Sequence, residues 1–350
     1  MHPSLSGAPH SGQNEKEGYE FCGKCGRRLN PQAYGQSGPT PNKMGPLAAM
    51  PFVLLLLILC VCALIYGIAP TFDFLKDYTD TVLMLLPALE AVGTISGPAL
   101  QAYWIFQAAV ILVSAVIVIL QSKALFKPRK DGDTSAAEKT PFYWICLLFT
   151  ATFVFELIIM AISTIISGQG MELPDGLQDM PLEEAFYSMA NAAFWEEIIS
   201  RMLPIGIPMV ILAACHGKKD FLKNILGGFG TSRLAWILIF ASSIMFGYAH
   251  VTGWGWMKFL PTFLGGLAMG YLYVRFGIHA SIIFHFITDY LGVLAMLGDV
   301  MTMIVGGLIV LFLIVGLMCI ITLFPRIGQG LRNLDKLPVT GFEPGCNRKE

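Results

Sequence analysis

The sequence predicts an all-α, polytopic membrane protein with about eight transmembrane helices and a short, degenerate zinc-ribbon-like N-terminal tail. Three observations carry this. Hydrophobic residues make up 55% of the 350-residue chain, charged residues only 13%, and mean hydropathy is +0.64; a soluble domain carries about a quarter charged residues. Eight stretches, roughly 47–69, 101–121, 141–167, 182–214, 234–250, 258–274, 278–297 and 301–324, approach the ~20 apolar residues that cross a bilayer. The charges between them alternate in sign.

The alternation supports the even count. Lys123, Lys127, Arg129, Lys130 and Lys139 follow the second span; Lys218, Lys219, Lys223 and Arg233 follow the fourth. Arg275 follows the sixth, and Arg326, Arg332 and Lys336 follow the eighth. After the third come Glu172, Asp175 and Asp179 without a lysine or arginine, and after the first Lys76 is alone among Asp73, Asp77, Asp80 and Glu90. Positive segments stay inside, so both termini are expected in the cytoplasm. The fourth stretch is too long for one straight span, and Pro204 and Pro208 are expected to break or kink it.

The expected organisation is a cytoplasmic tail (1–45), a membrane domain (46–325) and a cytoplasmic C-terminal tail (326–350). No signal peptide is expected, because the first fifty residues are polar. The formal net charge of −1 gives no basic surface for nucleic acid. Cys60, Cys62, Cys146 and Cys319 lie in apolar runs and act as small hydrophobes. In the tail, Cys22 and Cys25 of "FCGKCGRRL" form half of a zinc ribbon, and Tyr34 and Ser37 stand where the other two cysteines would be. Either the tail is metal-free, or zinc binds weakly with help from His10 or between two chains.

Within the fourth span, "FWEEIISRML" (Phe194 to Leu203) concentrates charge where it is costly, and an ionisable residue inside a membrane is a functional hypothesis by default. Glu197 and Arg201 are four apart and share a helix face. Glu196 is rotated about 100° from Glu197 and is left free to act as a general base. Two histidines lie in apolar helix: His250, closing "FGYAH", and His285 in "IIFHFITDY", with Asp289 one turn later. His279 is expected at an interface. A lone intramembrane histidine, a Glu–Arg pair or the isolated Glu156 is ordinary helix glue. Glu196, Glu197, Arg201, His250, His285 and Asp289 together, on three spans, each need compensation, and glutamate with two histidines and an aspartate can activate water.

The motifs "EEIISR", "FGYAH" and "HFITD", in this order and each on its own span, resemble the EExxxR, FxxxH and HxxxN signatures of the CPBP family of intramembrane endopeptidases, which includes the type II CAAX prenyl proteases. The resemblance covers roughly residues 140–298, including the glycine-rich "FLGGLAMGYLYVRFG". It implies an all-helical membrane core with an inward-opening, water-filled cavity. It implies that Glu196 activates water with His250, and that His285 positions water or the substrate carbonyl. Asp289 would take the place of an oxyanion-stabilising asparagine, with Glu197 and Arg201 holding the helix and Phe246 packing beside the site. The substrate implied is a peptide or protein, prenylated or otherwise membrane-anchored; CAAX members remove the last three residues of prenylated cysteine tails.

Asp289 departs from that pattern. An ionised aspartate cannot donate a hydrogen bond, so it must be protonated to stabilise an oxyanion, or ionised to orient His285. Two histidines and two carboxylates also make a zinc set, but HExxH is absent and a metal-free glutamate mechanism is expected, with zinc as the alternative cofactor. Helix rise places Glu196 ~21 Å below the outer start of its helix and His285 ~10 Å above the inner start of its own, which agree within a turn; His250, ~24 Å from the inside, falls too far out. Gly265, Gly266 and Gly270 are expected at close helix contacts, and Trp254 and Trp256 at a membrane interface. Competing functions are a catalytically silent scaffold or immunity-type binding protein, and a transporter with a carboxylate relay, for which no inverted repeat is visible.

Overall fold

The computed structural model describes residues 44–86, 88–126, 136–168 and 179–342. The half zinc ribbon of Cys22 and Cys25, with Tyr34, Ser37 and His10, lies outside them. The chain runs α1 (Met44–Phe74), β1 (Thr79–Leu86), β2 (Ala88–Ser96), α2 (Gly97–Gln121), α3 (Pro141–Ser167) and α4 (Leu182–Cys215). It continues through α5 (Arg233–Ala249), α6 (Phe259–Phe276), α7 (Ile278–Ala295) and α8 (Asp299–Arg332).

The fold is mostly helical but not all-α. Residues 79–96 form an antiparallel hairpin, paired from Thr79 with Ser96 to Leu86 with Ala88, with a register shift at Val82/Leu83. Threonines, valines and leucines set the β character here, and a segment between two long spans carries no helical periodicity to compete. Trp195 Nε1–H donates to the Leu83 carbonyl at 2.7 Å, and Leu85 packs with Ile199 and Ala249. The hairpin therefore rests on α4 and α5, beside Glu196 and His250.

Among the described residues seven helices are long and apolar enough to cross a membrane, which makes this an integral, multi-pass membrane protein. The expected sixth span, now α6, is not among the seven, because three glycines, two tyrosines and Arg275 dilute its apolar character. Contacts between chain segments set its two ends level with those of the neighbouring helices. At one end, Glu138 pairs with Arg326 and its carbonyl accepts from Arg275; His279 meets Gln121; and the amides of Arg233 and Leu234 donate to the carbonyls of Pro338 and Val339. At the other, Thr71 meets the Glu183 carbonyl, Tyr78 meets Glu184, Gln101 meets the Phe72 carbonyl and Lys258 meets Glu156. The connections after α2, α4, α6 and α8 thus gather at one end, the basic one, and those after α1, α3, α5 and α7 at the hairpin end. Residues such as Ile65, Val113 and Leu317 present apolar side chains outward, as lipid-facing positions do.

Helix α4 is continuous rather than broken at Pro204 and Pro208. It passes through π-helical turns at Ala192–Glu196 and Ile198–Gly206, the widened geometry that absorbs a proline and that recurs at functional sites. Beyond the π segment Gly206 abuts the Tyr273 hydroxyl, three residues from the end of α6, so Ile207–Cys215 projects past it. Helix α5 starts level with that projection, which is why the depth of His250 measured from its own start overshoots while His250 itself sits beside Glu196. Two of the three α6 glycines are close contacts as expected: a Cβ at Gly266 would meet Ser243 at 3.1 Å and one at Gly270 would meet Ile239 at 2.9 Å. Gly265 instead lines a cavity.

Candidate active site

An open cavity of about 100 Å³ is lined by residues of α3, α5, α6 and α7. His250, at the C-terminal cap of α5, and His285 and Asp289, one turn apart on α7, contribute to its wall. The structure brings all six ionisable residues of the three motifs together. Glu196 Oε2 lies 3.8 Å from Nε2 of His250 and 3.8 Å from Nε2 of His285. Its side chain is 26% exposed, against 0% for Glu197 and Arg201. Oε2 itself is buried and has no hydrogen-bond partner among the described residues. Asp289 Oδ2 lies 3.3 Å from His285 Nε2.

The adjacent glutamates divide as their positions on the helix require. Glu197 forms an ion pair with Arg201, Nε to Oε2 at 3.5 Å. Arg201 also donates through Nη1 to the Ser200 carbonyl and the Ser242 hydroxyl, and its guanidinium lies 4.8 Å over the Phe246 ring. Phe246 packs edge-on against both histidines, with centroids 4.8 Å from His250 and 6.0 Å from His285. Glu197 does more than pair with Arg201: its Oε1 accepts from His285 Nδ1 at 3.0 Å and its Oε2 accepts from the Ser281 hydroxyl.

This fixes the histidine chemistry. A carboxylate only accepts, so the Nδ1 of His285 carries a proton toward Glu197 and its Nε2 faces Glu196 and Asp289. The contact between Nε2 and Asp289 Oδ2 then needs one more proton, carried either by Asp289 or by Nε2. His250 is set from the other side: Nδ1 donates to the Phe246 carbonyl at 2.9 Å, which leaves its Nε2 as the group directed at Glu196.

Two participants were not singled out from sequence as site residues. Ser281 was visible by spacing, since 281, 285 and 289 form an i, i+4, i+8 stripe on α7. Lys258 was not, because its partner is distant in sequence: it pairs with Glu156 at 2.9 Å, so Glu156 is not isolated, and its ammonium lies 5.0 Å from the Trp254 ring. Both members of the pair line the cavity. His279 lies at the basic end, where its Nε2 meets Gln121 Oε1 at 2.9 Å. Trp256 is exposed in the α5–α6 connection. Among the described residues no three His, Cys, Asp or Glu side chains are disposed to hold a metal ion together.

Comparison with known proteins bears on residues 179–291, which match the family described as type II CAAX prenyl endopeptidase Rce1-like. That stretch runs from the start of α4 into α7 and contains Glu196, Glu197, Arg201, Phe246, His250, His285 and Asp289. No curated protein and no solved structure matches the chain.

Proposed function

We propose, from the premise that this chain carries a domain of the Rce1-like type II CAAX prenyl endopeptidase family, that it is an intramembrane endopeptidase hydrolysing a peptide bond with a glutamate-activated water. The observation that carries this is Glu196 Oε2, buried and free of protein partners, facing the Nε2 atoms of two histidines from two other helices at 3.8 Å each. That separation is too long for a direct hydrogen bond and suits a water held between the groups.

Glu196 takes a proton from that water as its oxygen attacks the substrate carbonyl. His250 orients the water. His285, held by Glu197, and Asp289 face the oxygen on which negative charge develops. The C–N bond then breaks, and the proton on Glu196 passes to the leaving nitrogen. General-base assistance of this kind contributes about 10²–10⁴-fold, and donors preset toward the oxyanion add a comparable factor. No step requires a metal. The substrate is a peptide with a lipid-anchored C-terminal tail. Proteomics of C-terminal and membrane-protein fragments tests this, comparing wild type with Glu196→Gln. Fragments lost in the variant identify substrates. Identical fragment sets leave the chain as a catalytically silent membrane scaffold.

A further inference from the structure

Among the described residues, Lys258 is the only lysine or arginine lining the cavity that holds His250, His285 and Asp289. It sits at the N-cap of α6, and its ammonium is fixed by Glu156 at 2.9 Å and by the Trp254 face at 5.0 Å. An ammonium has three donors, and Glu156 engages one of them. A cation held this way, part-buried in a pocket lined largely by apolar side chains, is where an anionic group of a bound peptide would find compensation.

Its height above the reacting groups follows from helix geometry. The Ser281 hydroxyl oxygen lies 3.1 Å from the Met269 carbonyl oxygen, which sets α6 and α7 level at that point. His285 is four residues, ~6 Å, further along α7; Lys258 is eleven residues, ~16 Å, back along α6 in the same direction. The difference, ~10 Å, is the length of about three extended residues. We infer that Lys258 is a carboxylate subsite. It binds the free C-terminal α-carboxylate of the substrate and places the scissile bond about three residues before that end. This rests on the endopeptidase reading of the same cavity and adds a specificity residue to it. Glu156 holds the ammonium in place when no peptide is bound, and the two carboxylates share it when one is.

The test uses the full chain in detergent micelles with farnesylated peptides ending one to six residues after the modified cysteine, each as free acid and as C-terminal amide. Wild type should cleave the three-residue free acid best, with kcat/KM about 10–100-fold above its amide, the range of a charge-assisted hydrogen bond. In Lys258→Met that ratio should fall to about 1. Lys258→Arg should restore part of it, and Glu156→Gln, which removes the competing carboxylate, should keep or widen it. A clamp holding α3 to α6 would change both peptides alike and leave the ratio intact, which overturns the subsite, as does a wild-type enzyme indifferent to amidation or length. The length series needs no variant and stands if Lys258→Met does not fold. Cleavage of none of the peptides by wild type overturns the endopeptidase reading and this inference with it.

Discussion

Replacing Arg201 by alanine tests the division of labour between the two glutamates. Both partners of the Arg201–Glu197 pair have fully buried side chains, 3.5 Å apart. Removing one member of a buried pair strands the other and costs on the order of 3–5 kcal/mol. The lower part of that range is expected, because Glu197 keeps Ser281 and His285 as donors. Loss of the contacts to Ser200, Ser242 and the Phe246 ring adds to it. At roughly 2 °C per kcal/mol for a large chain, the melting temperature in detergent should fall by about 6–10 °C. The assay is thermal unfolding of wild type, Arg201→Gln, Glu197→Gln and the double variant, beside the alanine form. Neutralising both members should return at least ~1 kcal/mol relative to the sum of the single losses. Simple additivity, or an Arg201→Ala protein as stable as wild type, would refute the argument that this pair braces the catalytic helix.

Three further outcomes are expected. Asp289→Asn should retain activity, because the amide supplies a hydrogen-bond donor at the same position. A pH–rate profile with sharply reduced activity at every pH would assign Asp289 to orienting His285 as an anion. Activity should survive strong chelators followed by dialysis, in a Cys22→Ser/Cys25→Ser background that removes tail zinc. Loss of one tightly held zinc together with activity would establish the metalloprotease alternative. In a cysteine-depleted chain in intact cells, an impermeant maleimide should label Trp256→Cys but not Lys219→Cys, as the loop charges require. The opposite pattern would put the hairpin end, toward which the cavity extends, in the cytoplasm, as the family resemblance implies.

The residues that the structure gathers into the candidate site stood out in sequence because charge inside a membrane is rare enough to be conspicuous. Glu196, Glu197, Arg201, His250, His285 and Asp289 were visible one by one, and helix periodicity separated the two glutamates and joined His285 to Asp289. What could not be read depended on contacts between distant segments. The link from Glu197 to His285 spans 88 residues and the Glu156–Lys258 pair 102, so neither leaves a local pattern. The hairpin was missed because residues 79–96 read only as an acidic connection between two spans, and strand pairing leaves no charge pattern. The depth of His250 could not be computed because helix ends need not be level: only the docking of Gly206 against Tyr273 shows how far α4 projects. The sequence predicts eight spans and the structure offers seven candidates among the described residues, because the glycines, tyrosines and Arg275 of α6 lower its hydropathy.

The central claim is that Glu196 is the base. The most direct measurement is the rate of peptide hydrolysis by purified Glu196→Gln beside wild type, with both proteins shown to be folded by thermal unfolding. Glutamine keeps the size of the side chain and its position 3.8 Å from both histidines but cannot accept a proton from water. The account predicts a loss of at least ~100-fold in kcat with little change in melting temperature; a folded variant hydrolysing peptide at the wild-type rate would contradict it.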